Sequence, residues 1–206
     1  MPAAGGFAVD RHRGHPSRGL RSSSPAVPLR MHDPAVPRLL EAAVDRLPDG
    51  VRVAVVVARW NDSVTRQMLA GATWQLAEAG LPGEAVEVAW VPGAFELPLA
   101  ADRLAATGRF AAVICLGAVI RGETRHDQYI AQAVASGIEQ TARQRGLPVL
   151  FGVLTCESLA QAIARAGGSA ADGFAGNKGA EAAAAAIEMI GLMRSIEGPA
   201  GGSARA

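Results

Sequence analysis

A histidine follows an apolar run that ends in glycine and charged residues. The apolar residues 115–120 lead into the polar residues 121–125, and His126 comes next. Histidine is the side chain best suited to accept and return a proton near neutral pH. Residues 130–143 space their apolar and polar side chains as a helix does, so the polar residues lie where a strand is followed by a helix N-terminus. Such a junction is suited to binding an anion or a carbonyl group.

Four turns follow predicted strands, at residues 59–62, 91–96, 118–126 and 155–157, and the third of them contains the polar residues before His126. In doubly wound sheets, ligands bind at the carboxyl ends of the strands, where all four turns would meet. Trp60 could lay its flat apolar ring against a ligand ring, or could pack at the edge of the core. Glu96 could bind a polyol, or could act only on the dipole of the helix that it begins.

Alternating apolar runs and helical patterns position these turns. They predict strands at 51–58, 85–90, 111–116 and 149–154, and helices at 37–47, 63–79, 94–106, 127–145, 158–166 and 177–195. The first strand is nearly all Val and Ala, as in a strand buried on both faces of a parallel sheet. The sequence therefore predicts an α/β three-layer sandwich, with a four-stranded parallel sheet flanked by helices. Neither a Walker A loop nor a Gly-x-Gly-x-x-Gly motif opens the first helix, so no motif supports nucleotide binding.

The composition of the chain argues against some classes of binding partner. The 206 residues include 20 Lys and Arg and 19 Asp and Glu, for a net charge of +1. This balance provides no overall field for nucleic acid or an anionic membrane, and no apolar stretch reaches the roughly 20 residues of a membrane span. We expect neither partner. Cys115 and Cys156 lack the paired spacing of a metal site or disulfide framework, which favours a cytoplasmic location and no metal.

One domain with two tails is expected. Residues 1–36 place arginine among Ser, Gly and Pro without apolar periodicity, which predicts a disordered basic N-terminal tail. Residues 37–196 form the predicted α/β domain, and residues 197–206 a flexible C-terminal tail. Met31 is a second candidate start, and a transit-like role of the tail stays open on composition.

The polar turns and later motifs resemble those of the lumazine synthase family in order, spacing and residue type. The resemblance covers about residues 51–194 and implies a flavodoxin-like α/β sandwich. It rests on Arg59-Trp60-Asn61, Pro92-Gly-Ala-Phe-Glu96, Gly117-Ala-Val-Ile-Arg-Gly-Glu-Thr124 with His126, Phe151-Gly-Val, Arg165-Ala-Gly and Gly176-Asn-Lys-Gly-Ala-Glu181.

The resemblance implies a transferase of riboflavin biosynthesis. Family members condense 5-amino-6-(D-ribitylamino)uracil with 3,4-dihydroxy-2-butanone 4-phosphate, giving 6,7-dimethyl-8-ribityllumazine, phosphate and water. Both substrates are small molecules, and the resemblance implies no cofactor and no metal. A non-catalytic flavodoxin-like module that binds flavin or lumazine in the same turns is the alternative function.

The resemblance also implies roles for individual residues. His126 would be the catalytic acid and base. The phosphate would be bound by backbone N–H groups of Glu123 and Thr124, by the Thr124 hydroxyl, and by the Arg165 guanidinium. Phe151 would reach the pyrimidine from a neighbouring subunit, or would pack in the core. The pyrimidine and ribityl contacts would be Trp60, Ala94, Phe95, Glu96, Ala118, Val119, Ile120 and Phe151.

Asn61 and Lys178 are expected to have structural or secondary roles. Lys178 could form a Schiff base with the ketone, but a catalytic amine must be freed of its proton by burial or a neighbouring cation. At the start of a helix, next to Asn177, we expect Lys178 instead to fix the turn and to pair with a carboxylate.

Two departures from the family pattern concern the site and the assembly. Asp127 stands where the family usually has an aromatic residue, and it could act on His126 or simply begin the helix. Residues 168–175 make the segment before Asn177 about five residues longer than in family members that form icosahedral shells. Similar insertions in the family accompany free pentamers, so a homopentamer is expected rather than a sixty-subunit shell. The resemblance further implies an active site shared between subunits.

Overall fold

The computed structural model of the protein describes residues 46–198. The predicted N-terminal tail, most of the helix predicted at 37–47, and the chain after residue 198 lie outside these residues. The described end of that predicted helix, Arg46 and Leu47, is not helical. Pro48 follows directly, and a residue before proline is disfavoured in the helical conformation. The Leu47 N–H donates instead to the carbonyl of Ala79 at 2.9 Å.

Four parallel strands form the sheet. They are β1 (Val53–Ala58), β2 (Val86–Val91), β3 (Ala112–Ile120) and β4 (Val149–Cys156). Their order across the sheet is β2-β1-β3-β4. The chain therefore changes its direction of travel across the sheet between β1 and β3, and ligands of doubly wound sheets bind at that point. Every residue of β1 is buried, as its uninterrupted apolar sequence predicts.

Within residues 46–198, five α-helices cover the two faces of the sheet. They are α1 (Asp62–Glu78), α2 (Leu97–Ala106), α3 (His126–Arg145), α4 (Leu159–Ala166) and α5 (Lys178–Glu197). Alternate residues of β1 face opposite layers. Val53, Val55 and Val57 belong to the core formed with α1, α4 and α5, whereas Ala54, Val56 and Ala58 belong to the core formed with α2 and α3. The predicted α/β three-layer sandwich with a four-stranded parallel sheet is confirmed.

Two predicted boundaries are wrong. The third strand runs four residues beyond its predicted end at 116, because residues 118–120 pair with β4 as Ala118–Leu154, Val119–Thr155 and Ile120–Cys156. The helix predicted at 94–106 is a 3-10 turn at Ala94–Glu96 followed by α2. The other predicted strands, and the other predicted helices from α1 onward, agree with the observed bounds to within two residues.

Close packing of α1 against α5 depends on one glycine and one buried amide. A Cβ at Gly179 would overlap the carbonyl oxygen of Met68 on α1. The fully buried Asn177 side chain accepts hydrogen bonds from the N–H groups of Gly179 and Ala180, at 2.9 and 3.1 Å. Its Nδ2 donates to the carbonyls of Gln67, Ala166 and Gly167. This amide caps α5 and ties it to α1 and to the end of α4.

The segment of residues 168–175 is packed on α1. It contains a short 3-10 turn at Ala170–Asp172. Phe174 is 8% exposed, has a φ of 52°, and lies with its ring centroid 5.8 Å from that of Trp74 on α1. The Gln67 Nε2 donates to the Gly168 carbonyl at 2.6 Å. The longer segment is therefore anchored to the outer side of α1 at both of its ends.

Among residues 46–198, no helix is long and apolar enough to span a membrane.

Candidate active site

The turn after β1 is fixed by a left-handed asparagine. Asn61 has φ 61° and ψ 45°, a conformation that asparagine tolerates better than most residues. Its Nδ2 donates to the Ala118 carbonyl on β3 at 2.8 Å. The N–H of Trp60 donates to the Pro92 carbonyl at 3.1 Å. Trp60 is thus held between the ends of β2 and β3, while its side chain stays 71% exposed.

The turn after β2 brings glycine, alanine and a carboxylate beneath that tryptophan. A Cβ at Gly93 would lie 2.9 Å from the Trp60 ring, so glycine allows the ring to pack onto the backbone here. The Gly93 N–H donates to the Glu96 Oε2 at 2.9 Å. Glu96 therefore has a structural partner for one carboxylate oxygen. Ala94 is buried, and Phe95 is 57% exposed.

The last residues of β3 have one backbone edge free of sheet partners. Val57 of β1 pairs with Leu116, and no pairing between these strands continues past that point. The Arg121 N–H bonds to the Cys156 carbonyl of β4, so the alternation of a strand directs the polar backbone groups of Ala118 and Ile120 to the opposite side. The Ala118 carbonyl accepts from Asn61 on that side. The strand thus presents backbone donors and acceptors beside the turn after β1.

The turn between β3 and α3 precedes the helix rather than forming its first turn. The helix begins at His126, with Arg125 as its N-cap residue, and Glu123 and Thr124 come before that cap. The His126 N–H lies 3.4 Å from the Thr124 Oγ1, and both side chains are exposed.

One cavity of about 220 Å³ joins these elements at the carboxyl ends of the strands. Nine residues predicted from the sequence lie around it. The cavity is lined by Trp60, Asn61, Ala94, Phe95, Ala118, Val119, Ile120, Gly122, Thr124, His126, Asp127 and Ile130. Glu123 borders an adjoining polar cavity together with Thr124 and Asp127.

Three predicted residues lie elsewhere in the chain. Phe151 is 45% exposed on β4 and borders a cavity with Lys178 and Glu181 on the α5 side of the sheet. The Lys178 Nζ lies 2.5 and 2.7 Å from the two carboxylate oxygens of Glu181. Arg165 is exposed in the last turn of α4. A single chain therefore does not bring Phe151 or Arg165 into the cavity that contains His126.

The charges around the site are arranged about Arg121. Its Nη1 lies 2.6 Å from the Glu157 Oε2, and this hydrogen bond with the charge of Glu157 raises the pKa of Arg121, with a further contribution from Asp127. Burial raises the pKa of Cys115 to about 12, so this thiol is neutral at physiological pH and is not a nucleophile.

Sequence reasoning missed two features of the site. Ile130 lines the cavity one helical turn after His126, and this four-residue spacing on α3 could have predicted it. The ion pair between Arg121 and Glu157 joins residues 36 positions apart, and no local pattern indicates such a pair. Within the described residues, no three His, Cys, Asp or Glu side chains come together as metal ligands.

The fold and the cavity together define a class of protein. A doubly wound α/β domain with an apolar cavity and a few polar groups at the carboxyl ends of its strands is a small-molecule-binding domain of the kind found in enzymes. The model of the 6,7-dimethyl-8-ribityllumazine synthase family matches residues 50–194. The chain belongs to this family, as its motifs predict. Membership assigns it to the enzymes of riboflavin biosynthesis, with small-molecule substrates and an oligomeric assembly.

Proposed function

We propose that this protein condenses 5-amino-6-(D-ribitylamino)uracil with 3,4-dihydroxy-2-butanone 4-phosphate to form 6,7-dimethyl-8-ribityllumazine, phosphate and water. One observation supports this most directly. A single cavity joins the Trp60 ring, the free backbone edge of β3 and His126 in a chain that belongs to the lumazine synthase family. The reaction needs a flat surface for a pyrimidine, polar backbone groups for its edges, and a residue that transfers protons.

The pyrimidine is assigned to the side of the cavity formed by Trp60 and β3. An indole ring packs well against a flat heterocycle. The backbone groups of Ile120 on the free side of β3, and the second lone pair of the Ala118 carbonyl that already accepts from Asn61, can bond the polar edge of the ring. The ribityl chain is assigned to the turn of Ala94 and Phe95, with the second Glu96 oxygen accepting from a hydroxyl.

The phosphate is assigned to the turn before α3. Among residues 46–198, no backbone hydrogen bond uses the N–H groups of Glu123 or Thr124, which leaves them able to donate to phosphate oxygens. A guanidinium binds phosphate through two parallel hydrogen bonds. We assign this second contact to Arg165, supplied by a neighbouring copy of the chain, because Arg165 does not line the cavity of its own chain.

His126 is assigned the proton transfers. The primary amine of the uracil attacks the ketone, and the resulting carbinolamine loses water to give an imine. Loss of phosphate through the enamine leaves an enol that becomes a second ketone, the ribitylamino nitrogen attacks this carbonyl carbon, and loss of a second water completes the ring. A base near the amine and an acid near the departing oxygens serve each of these steps, and an exposed imidazole at the cavity can alternate between these roles.

We further infer that the protein is a homopentamer with active sites shared between subunits. Phe151 and Arg165 lie away from the cavity of their own chain, and Phe151 is exposed on an edge strand. Residues 168–175 are anchored on α1 and lengthen the surface next to α4 and α5. Buried, free cysteines at 115 and 156 support our placement of the protein in a reducing cytoplasm.

A direct assay tests the proposed reaction. The two substrates are mixed with and without the full chain, and the absorbance of the lumazine product is followed. We expect product to appear faster than in the uncatalysed condensation, with one phosphate released per lumazine formed. Binding of lumazine without any acceleration would instead favour the non-catalytic binding module, whose cavity would be the same.

A further inference from the structure

The turn between β3 and α3 is held by few contacts of its own. The N–H groups of Glu123 and Thr124 have no backbone acceptor within the described chain, and the contact of the Thr124 hydroxyl with the His126 N–H is long at 3.4 Å. Free N–H groups suit an anion, but a segment with few hydrogen bonds and high exposure samples many conformations. Binding an anion there has an ordering cost unless something else fixes the turn.

Arg121 connects the beginning of this turn to a rigid part of the molecule. Its N–H donates to the Cys156 carbonyl at 2.9 Å, as the last rung between β3 and β4. Its Nη1 lies 2.6 Å from the Glu157 Oε2. The Glu157 N–H donates to the Gln161 Oε1 at 2.9 Å, in the first turn of the short helix α4. The guanidinium therefore bonds a carboxylate whose own backbone is fixed.

The same guanidinium also acts across the turn. The hydrogen bond and charge of Glu157, and then the charge of Asp127, raise the pKa of Arg121. Asp127 is the second residue of α3. Arg121 is thus bonded to a carboxylate that follows β4, and the charge of a second carboxylate, which follows the turn, also favours its charged form.

We propose that the Arg121–Glu157 ion pair positions the phosphate-binding turn, holding the N–H groups of Glu123 and Thr124 in the geometry that receives the phosphate of the ketone substrate. The proposal rests on the proposed function and makes Arg121 and Glu157 positioning residues. Neither needs to contact the reacting atoms.

Because the Arg121–Glu157 pair is exposed, its role in positioning the turn can be tested without destabilising the fold. The Arg121 and Glu157 side chains are 59% and 67% exposed. Ion pairs at such exposure contribute little to stability. Loss of the pair should therefore change anion binding and leave the unfolding temperature nearly unchanged.

Removal of the Glu157 carboxylate tests the proposal, because electrostatics and positioning predict opposite changes in the affinity for inorganic phosphate. Glu157→Gln removes a negative charge close to the anion site, so simple electrostatics predicts tighter binding of inorganic phosphate. Positioning predicts the opposite, a dissociation constant for inorganic phosphate about fivefold higher in the variant. The KM for the phosphorylated ketone should rise by a similar factor, while the KM for the ribitylaminouracil stays unchanged.

A double-mutant cycle tests whether the two residues act as a pair. Phosphate binding is measured by calorimetry on the full chain, on Arg121→Gln, on Glu157→Gln and on the double variant. If the pair acts as a unit, adding Glu157→Gln to Arg121→Gln causes no further weakening. Glu139→Gln is the matched control, because Glu139 lies 3.6 Å from Arg143 in an exposed pair further along α3. It should leave phosphate binding unchanged.

The outcomes distinguish this proposal from the proposed function. Unchanged or tighter phosphate binding by Glu157→Gln would overturn the positioning role, as would fully additive effects in the cycle. A wild-type chain that binds phosphate but does not accelerate lumazine formation would reject the synthase activity. The positioning role would then be judged by phosphate binding alone.

Discussion

His126 shares its cavity with the residues to which we assign the holding of the substrates. Trp60, the backbone of β3 and the turn before α3 all border the same space. Proton transfer by one residue typically contributes ~10²- to 10⁴-fold to a rate, whereas holding two reactants together can supply ~7 to 11 kcal/mol. For a condensation of two substrates, positioning should therefore contribute more to the rate than His126 does.

We predict that His126→Ala retains measurable activity. The kcat should fall by about 10²-fold, and by no more than about 10⁴-fold, because positioning is left intact. The Michaelis constants should change little. Steady-state formation of lumazine measures all three constants, with the exposed Gln132→Ala on the same helix as control. A variant no faster than the uncatalysed condensation would contradict this expectation.

A second prediction concerns Arg165. Arg165→Ala should raise the KM for the phosphorylated ketone by about tenfold or more and leave the KM for the ribitylaminouracil unchanged, since a charged hydrogen bond to phosphate is lost. The KM of Arg165→Lys for the phosphorylated ketone should lie between those of the wild type and Arg165→Ala, because lysine offers a point charge without the paired hydrogen bonds. Substrate titrations of the three proteins decide it. An unchanged KM for the ketone in the alanine variant would remove Arg165 from the phosphate site.

Some residues of the candidate site could be predicted from the sequence and others could not. Trp60 and His126 were predicted from their places after apolar runs together with the family motifs that contain them, and both line the cavity. The ion pair of Arg121 with Glu157 was not, because exposed charges are common and their pairing depends on where β3 and β4 end together. The binding roles of Phe151 and Arg165 stay predictions, since they require a second copy of the chain.

At the scale of elements, the contact of α1 with α5 is the most sensitive to side-chain size. Gly179→Ala should destabilise the protein by about 3 kcal/mol or more, because the added methyl group overlaps the Met68 carbonyl oxygen of the facing helix. The free energy of unfolding in urea measures this loss. Gly83→Ala is the control, since a Cβ there meets nothing within 4 Å. Equal stability of the two variants would contradict the packing described.

The ion pair between α2 and α3 predicts a pH dependence of stability. The hydrogen bond from Arg145, at 2.8 Å, lowers the pKa of Asp102 below its ordinary value of 3.8. A lowered carboxyl pKa stabilises the fold above the unfolded-state pKa, and this stabilisation is lost as the pH falls through the folded-state pKa.

We therefore expect Asp102→Asn to be less stable than the wild type at pH 7, by less than about 1 kcal/mol for so exposed a pair. The difference should shrink toward zero as unfolding is measured at acid pH. Arg145→Gln removes the same ion pair, so its loss of stability relative to the wild type should disappear over the same pH range. A deficit that is constant with pH would show that packing, and not charge, explains it.

The elements themselves were largely predictable, and the errors have physical causes. Continuous Val and Ala runs indicate buried parallel strands, and these were found where expected. The third strand was predicted to end at residue 116, before Gly117, with a turn from residue 118. Gly117 lies inside β3, where a Cβ would lie 3.0 Å from the Leu97 side chain of α2. The glycine permits close packing of a helix on the strand.

At the scale of the whole molecule, assembly is the main expectation to test. We predict that light scattering of the full chain gives a mass about five times its 21.1 kDa. Residues 168–175 pack on α1, with Phe174 held against Trp74, and we expect this longer segment to obstruct contacts between pentamers. A mass near sixty times that of the chain would overturn the pentamer.

The two outer strands of the sheet affect how prone a newly synthesised chain is to aggregate. Within residues 46–198, β2 and β4 each have a neighbour on one side only. An uncovered strand edge offers a row of backbone groups to any extended chain that it meets. Phe151 adds an exposed aromatic ring to the β4 edge. At the high concentration of nascent protein in a cell, prompt association with other copies of the chain would therefore guard against aggregation.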